Sequence, residues 1–306
     1  MARPSRPGFP AFALASALLI GVVASGCSNA ESKVSADAVP TTIDIAETPD
    51  GGSFRLLTYN VQGLPVEINE GRPALNLPLI SPLLNDYDLV LTQARHEYQS
   101  PRHPGPEAVG IDLSQRPDME LGDGLGILAN LPVEGDERVP WTGCFGGFSQ
   151  DDGGKADCLA MKGFQVTALT LPNGALVHVY NLNAESGTNL KDQALQVADF
   201  EQLAEHIAGQ PRGDAVIVAG HTNLVLDDAD AASEHGQDGR IWRKFLEATG
   251  LTDACETGTC DDRSVDRIVY RSGDDVDLVA TAQVDRSDRF VDDDGKPLSG
   301  FSPIEV

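Results

Sequence analysis

Apolar residues recur at helical spacing over 189–208, where Leu195, Val197, Ala198, Phe200, Leu203, Ala204 and Ile207 share one side. That spacing predicts an amphipathic helix of about five turns. Shorter apolar runs predict strands over 54–61, 88–93, 125–129, 164–171, 176–182, 215–219, 266–271, 276–284 and 303–306. Pro172-Asn173-Gly174 between two of them is a hairpin signal. A short helical stretch includes Ile80 to Leu84, and a second runs from Arg240 to Thr249 with Gly250 as its stop. Pro101, Pro104, Pro106 and Pro117 predict a long irregular loop over 99–120. Strands outnumber helices, and the helices fall between strand pairs. The pattern predicts an α/β fold, with a two-sheet β-sandwich core flanked by helices.

The first 26 residues do not fit that body. Arg3 and Arg6 precede an apolar run from Ala11 to Ala24, and Ala24-Ser25-Gly26 leads into Cys27. A basic start, a short apolar run and small residues make a secretory signal over 1–26. The run is shorter than the ~20 residues a membrane-spanning helix needs. Small residues ending at a cysteine resemble a bacterial lipobox, which would make Cys27 the lipidated first residue of the mature chain. An ordinary signal peptide with an incidental cysteine is the plainer alternative. Residues 27–52 read as the lipidated Cys and a flexible linker, and 53–306 as a single domain. The expected location is the bacterial cell envelope, anchored through lipid on Cys27 and facing periplasm or exterior.

Charge narrows the partners. The chain carries 22 basic and 47 acidic residues, formally -25. Removing 1–26 takes Arg3 and Arg6 and no acid, which leaves 20 basic residues against 47 and a formal charge of -27. Such a surface repels nucleic-acid phosphates, so no nucleic-acid partner is expected, and the chain is expected to be a monomer. Besides Cys27 there are Cys144, Cys158, Cys255 and Cys260. An even number in an exported chain predicts disulfides. Three pairings are open. Cys144–Cys158 and Cys255–Cys260 are expected, because each closes a short loop. A zinc site lacks any Cys-x-x-Cys spacing.

The candidate chemistry gathers at the end of the 215–219 strand, where Gly220-His221-Thr222-Asn223 follows an apolar run. Polar groups at the end of a core strand are held rigidly and still reach solvent. Six more stretches accompany it: Leu57-Thr58-Tyr59-Asn60-Val61, Asp88 to Gln93, Gly124 to Leu128, Val179 to Leu182, Val265 to Ile268 and Ser299 to Pro303. Together, in this order, they resemble the endonuclease/exonuclease/phosphatase superfamily, most closely its secreted sphingomyelinase-like branch. The resemblance implies a four-layer αββα, DNase I-like fold and metal-dependent phosphodiester hydrolysis.

The resemblance also implies which positions should carry that chemistry, and here the chain departs from the family. The metal-binding Glu position is Ala94, beside Arg95. A catalytic His position is Asn183, the water-activating Asp position is His221, and the C-terminal Asp-His pair is Gly300-Phe301. Asn60 and Asn223 remain as phosphate-contact positions and Asp266 as a support position whose histidine partner is lost. Mg²⁺ is the family's metal. With no carboxylate at 94, no bound cofactor is expected. Scaffold residues are kept while ionisable ones are replaced, so an inactive domain that binds a phosphorylated or lipid ligand is the primary expectation. The alternative is an active Mg²⁺- or Zn²⁺-dependent phosphodiesterase with a rearranged site, drawing on His221, Glu185, His96 or Glu97. A third reading, a Ca²⁺-binding surface protein, rests on Asp292-Asp293-Asp294-Gly295 and Asp151-Asp152-Gly153-Gly154.

Overall fold

The computed structural model describes residues 51–64, 72–95, 122–147, 157–160, 162–226, 237–257, 263–280 and 283–306. The expected signal, Cys27, most of the linker, the 99–120 loop, His96, Glu97, the Asp151–Gly154 turn and Cys260 lie outside them. No helix among the described residues is long and apolar enough to cross a membrane.

Two sheets form the centre. One contains β1 (Leu56–Asn60), β2 (Leu89–Gln93), β3 (Gly126–Ala129), β10 (Val284–Asp285) and β11 (Ile304–Glu305), in the order β10-β11-β1-β2-β3. The other contains β4 (Val133–Pro140), β5 (Gly163–Thr170), β6 (Leu176–Asn183), β7 (Ala215–His221), β8 (Thr252–Asp253) and β9 (Asp266–Arg271), in the order β4-β5-β6-β7-β9-β8. The pairs β1·β2 and β6·β7 are parallel, and the remaining pairs are antiparallel.

Alternation along each strand explains the layers. Leu56, Leu89 and Leu91 from the first sheet meet Val177, Val179, Ile217, Ala219 and Ile268 from the second, in one buried cluster. The intervening residues face outward. Leu57, Tyr59 and Val90 pack under Leu77 and Ile80 of α1 (Pro73–Leu83). Tyr180, Leu182, Val216 and Val218 pack under Phe200, Leu203 and Ile207 of one helix and Ile241, Trp242 and Phe245 of another. Those helices are α3 (Leu190–Ala208) and α4 (Asp238–Thr249), and a short α2 (Asp157–Ala160) precedes β5. Helix, sheet, sheet and helix pair thus make the expected four layers. Both faces of the central strands are covered, which is why these strands read as continuous apolar runs.

Local chemistry sets the boundaries. Asn189 caps α3, its Oδ1 accepting from the N–H groups of Lys191 and Asp192 at 2.8 and 3.1 Å. Gly250 ends α4 in the left-handed region at φ 67°. The 172–174 hairpin forms as expected: Ala175 N donates to Asn173 Oδ1, and Gly174 takes φ 85°. The Cys144–Cys158 disulfide is present. Cys255 is disulfide-bonded, and its expected partner Cys260 is outside the described residues.

Three expectations need correction. The 276–284 strand shrinks to Val284–Asp285, since residues 276–280 form no ladder and Val279 is exposed. The short helical stretch around 80–84 is the end of a longer helix that begins at Pro73, where a proline is tolerated in the first turn. β4 was not expected at all: it is an edge strand whose charged residues Glu134, Asp136, Glu137 and Arg138 interrupt the apolar pattern, and its register shifts between Glu134 and Glu137.

Candidate active site

The inter-sheet layer changes character at one end. Along β1 the inward residues run Leu56, Thr58, Asn60; along β2, Leu89, Leu91, Gln93; along β6, Val177, Val179, Asn181, Asn183; along β7, Ile217, Ala219, His221. Each strand is apolar where it enters and polar where it leaves. Because β1·β2 and β6·β7 are parallel, the polar ends fall together: Asn60 registers with Gln93, and Asn183 with His221. The antiparallel β9 brings Asp266 opposite His221.

Below the surface the two sheets are tied by amides. Gln93 Nε2 donates to Asn181 Oδ1 at 2.7 Å and to Thr58 Oγ1 at 3.0 Å. Asn181 Nδ2 donates to the carbonyls of Thr92 and Gly126 at 2.9 and 3.0 Å. Gln93 and Asn181 are fully buried, so this bridge fixes how one sheet end sits over the other.

Above the bridge, His221 Nδ1 lies 2.9 Å from Asp266 Oδ1, with both residues buried. Sequence reasoning left Asp266 without a histidine partner; the structure corrects this, because His221 itself is the partner. The contact fixes the ring's tautomer and leaves Nε2 as its other polar atom. The Phe301 ring meets the imidazole edge-on, with centroids 4.4 Å apart. A cleft of about 200 Å³ opens beside this pair, lined in part by Asp266, Gly300, Phe301, Arg263, Gln283 and Asp285. Arg263, Gln283 and Asp285 carried no sequence signal, since they lie outside the motif stretches.

The remaining expected positions surround this centre. Asn60 Oδ1 accepts from Gln62 N at 3.1 Å, and the Asn60 carbonyl accepts from Ser299 Oγ at 2.7 Å. Gln62 Oε1 in turn accepts from Gly300 N at 2.9 Å. This chain of bonds joins the end of β1 to the C-terminal Ser299–Pro303 stretch. Ala94 follows Gln93 at φ 55°, and its carbonyl accepts from Gly63 N. Asn183 Oδ1 is buried without a hydrogen-bond partner, while its carbonyl accepts from Trp141 Nε1 at 2.7 Å. Asn223, at φ 56°, donates one N–H to the Ala184 carbonyl at 2.8 Å. It therefore braces the loop after β6.

Glu185 is not at the centre. It is no surface acid, because it is 1% exposed and its Oε1 accepts from Phe145 N at 2.7 Å. The Asp292 turn is also explained without calcium: Asp292 Oδ1 accepts from the N–H groups of Asp294 and Lys296, and Oδ2 meets Arg72.

No family model matches the chain. Solved structures share its architecture. Sphingomyelinase C from Streptomyces griseocarneus aligns over 83% of this chain and 99% of that one, with a TM-score of 0.57 and 17% identity. An endonuclease/exonuclease/phosphatase from Beutenbergia cavernae aligns over 82% of this chain and 70% of that one, with a TM-score of 0.54 and 14% identity. With both it shares the fold alone, two mixed sheets packed between helices. Sphingomyelinases of Mycobacterium bovis and Mycobacterium tuberculosis are 28% identical to it across 88% of its length. The chain spans about half of those relatives, 56% of their length.

An endonuclease/exonuclease/phosphatase site that uses Mg²⁺ needs oxygen ligands in near-octahedral array. The described strand-end residues do not fit that ion. Ala94 presents a methyl group, His221 presents an imidazole, and the facing oxygen of Asp266 is held by His221. Among the described residues no group of three His, Cys, Asp or Glu side chains is placed to hold a metal. The cleft itself presents the Asp266 carboxylate, the Gln283 amide and the Phe301 ring to a ligand.

Proposed function

We propose that this chain is an envelope-anchored domain of the sphingomyelinase-like phosphodiesterase fold that has lost the metal-dependent hydrolysis and retains a strand-end cleft for a phosphorylated or lipid ligand. The observation that carries the reading is the pairing of His221 with Asp266 beneath Phe301. A group that would have to orient water is locked to a carboxylate on one side and capped by a ring without acid–base chemistry on the other. Ala94 adds no carboxylate to offset charge on a phosphoryl group. Purified residues 28–306 are expected to show no turnover of sphingomyelin or bis(p-nitrophenyl) phosphate with Mg²⁺, Mn²⁺ or Zn²⁺. Restoring Glu at 94, His at 183, Asp at 221 and Asp-His at 300–301 is expected to create Mg²⁺-dependent hydrolysis. Metal-dependent turnover by the unaltered chain, abolished by His221→Ala, would overturn the reading.

The same His–Asp contact favours one second reading, an active enzyme with a rearranged site. Asp266 would hold His221 as an acid–base group with Nε2 toward substrate. The His221→Ala measurement separates the two.

The tether is tested separately. The full chain made in a bacterial host is expected to partition into the detergent phase of Triton X-114, and Cys27→Ser is expected to move it to the aqueous phase. Equal partitioning of both would exclude lipid on Cys27.

A further inference from the structure

A second cluster of ionisable groups lies behind the site, on the loop that follows β6. Three carboxylates, Asp157, Glu185 and Asp199, surround one ammonium, Lys162, and all three acids are 3% exposed or less. Lys162 Nζ lies 2.5 Å from Asp157 Oδ1 and donates to the Ala184 carbonyl at 3.0 Å. Asp157 holds Ser186 through its backbone N–H at 2.9 Å and through its hydroxyl. Asp199, from α3, accepts from Glu185 N at 2.9 Å. Glu185 Oε1 accepts from Phe145 N, while its Oε2 is buried with no hydrogen-bond partner. Gln196 Nε2 donates to the carbonyls of Glu185 and Gly187 at 3.1 Å each. Two further charges of α3 flank the cluster: Asp192 packs under Gly187, and Lys191 lies over the Phe145 ring. The disulfide joins the two walls, since Cys144 precedes Phe145 and Cys158 follows Asp157.

One ammonium cannot balance three buried carboxylates. Full ionisation would leave uncompensated negative charge out of reach of water, which is costly in a low-dielectric interior. The loop is also wired to the cleft. Ala184 N donates to the His221 carbonyl at 2.9 Å, and the Ala184 carbonyl accepts from Asn223 as well as from Lys162.

The geometry points to a pH-gated latch: while protons remain on Glu185 and Asp199, loop 184–188 is clamped between the disulfide-joined walls and α3, and when they leave, the loop is expelled and the backs of His221 and Asn223 are released. Burial, together with repulsion from Asp157, pushes both Glu185 and Asp199 up to about 8. The sign follows from linkage. A carboxyl whose pKa is raised in the folded state favours folding at low pH, and that contribution is lost as pH rises through its folded value. The latch is therefore shut in mild acid and opens above about pH 8. Nothing in this depends on whether the cleft is catalytic.

Hydrogen exchange of the disulfide-intact chain, corrected for the intrinsic pH dependence of amide exchange, reads the latch directly. Peptides covering 184–189 and 141–147 are expected to be protected at pH 6 and to lose at least tenfold protection at pH 9, while β7 keeps its protection. A second readout is the emission of Trp141, whose indole N–H is bonded to the Asn183 carbonyl, measured in a Trp242→Phe background. It is expected to shift to the red with a midpoint near pH 8. Glu185→Gln with Asp199→Asn should remove both transitions. Equal protection of 184–189 at the two pH values overturns the proposal without any variant. A transition that persists unchanged in the double variant overturns the assignment to these carboxylates.

Discussion

Replacing Gly220 with valine is expected to destabilise the domain by about 4 kcal/mol. Gly220 lies at φ 147°, a region that L side chains rarely adopt. A Cβ there would stand 2.3 Å from the Leu182 carbonyl oxygen and 2.7 Å from the Leu182 nitrogen. Both contacts are with the backbone of β6, the register partner of Gly220, so no side-chain rotation relieves them. Backbone strain and overpacking each cost about 1–3 kcal/mol, and together they remove about 4 kcal/mol from a domain whose total stability is on the order of 10 kcal/mol. Urea denaturation of Gly220→Ala, the milder change, gives the number. A midpoint within about 0.3 M of the unaltered chain, a difference well under 1 kcal/mol at ordinary m-values, would show that β6 and β7 separate readily at this point. The crowding sits one rung before Asn183 and His221 leave the ladder side by side.

The second large effect is expected at the amide bridge. Asn181→Leu takes one donor from each of the Thr92 and Gly126 carbonyls and one acceptor from Gln93 Nε2, which keeps Thr58 Oγ1 and the Leu91 carbonyl. A buried hydrogen bond contributes about 1 kcal/mol net, so a loss of about 3 kcal/mol is expected from the single change. Gln93→Leu should cost less, because it strands Asn181 Oδ1 and Thr58 Oγ1 but keeps the Asn181 donors in place. The double variant should be more stable than the sum of the two losses implies, since the pair is then apolar on both sides. Strict additivity in a double-mutant cycle would mean that the amides act independently and that the bridge does not register the sheets.

Much of this molecule was readable from its residues, for identifiable reasons. Strands buried on both faces leave long apolar runs, and α3 carries its cap in Asn189 and its apolar stripe in plain view. The seven motif-like stretches located the strand ends, and the structure brings His221, Asp266, Gly300 and Phe301 to one place. The readings that failed depended on partners distant in sequence. Whether Asp266 has a histidine to support depends on the β7·β9 register, and no local pattern around Val265-Asp266-Arg267 encodes that. Glu185 reads as an exposed loop acid because its walls, 143–147 and 157–162, precede it by more than twenty residues. The edge strand β4 hid behind its charges. The 276–284 run had the apolar alternation of a strand, but only Val284 and Asp285 pair, with β11.

The change from apolar to polar along each inward face has a practical meaning for anyone redesigning this protein. The residues that would decide chemistry are the last rungs of ladders whose backbone bonds already hold them at Asn60, Asn183 and His221. Their side chains project beyond the apolar layer that keeps the sheets together. Exchanging one reactive group for another at these rungs therefore acts on a surface the core has already built. The fold works as a socket: the side chains fitted at these rungs stand apart from the apolar wall behind them.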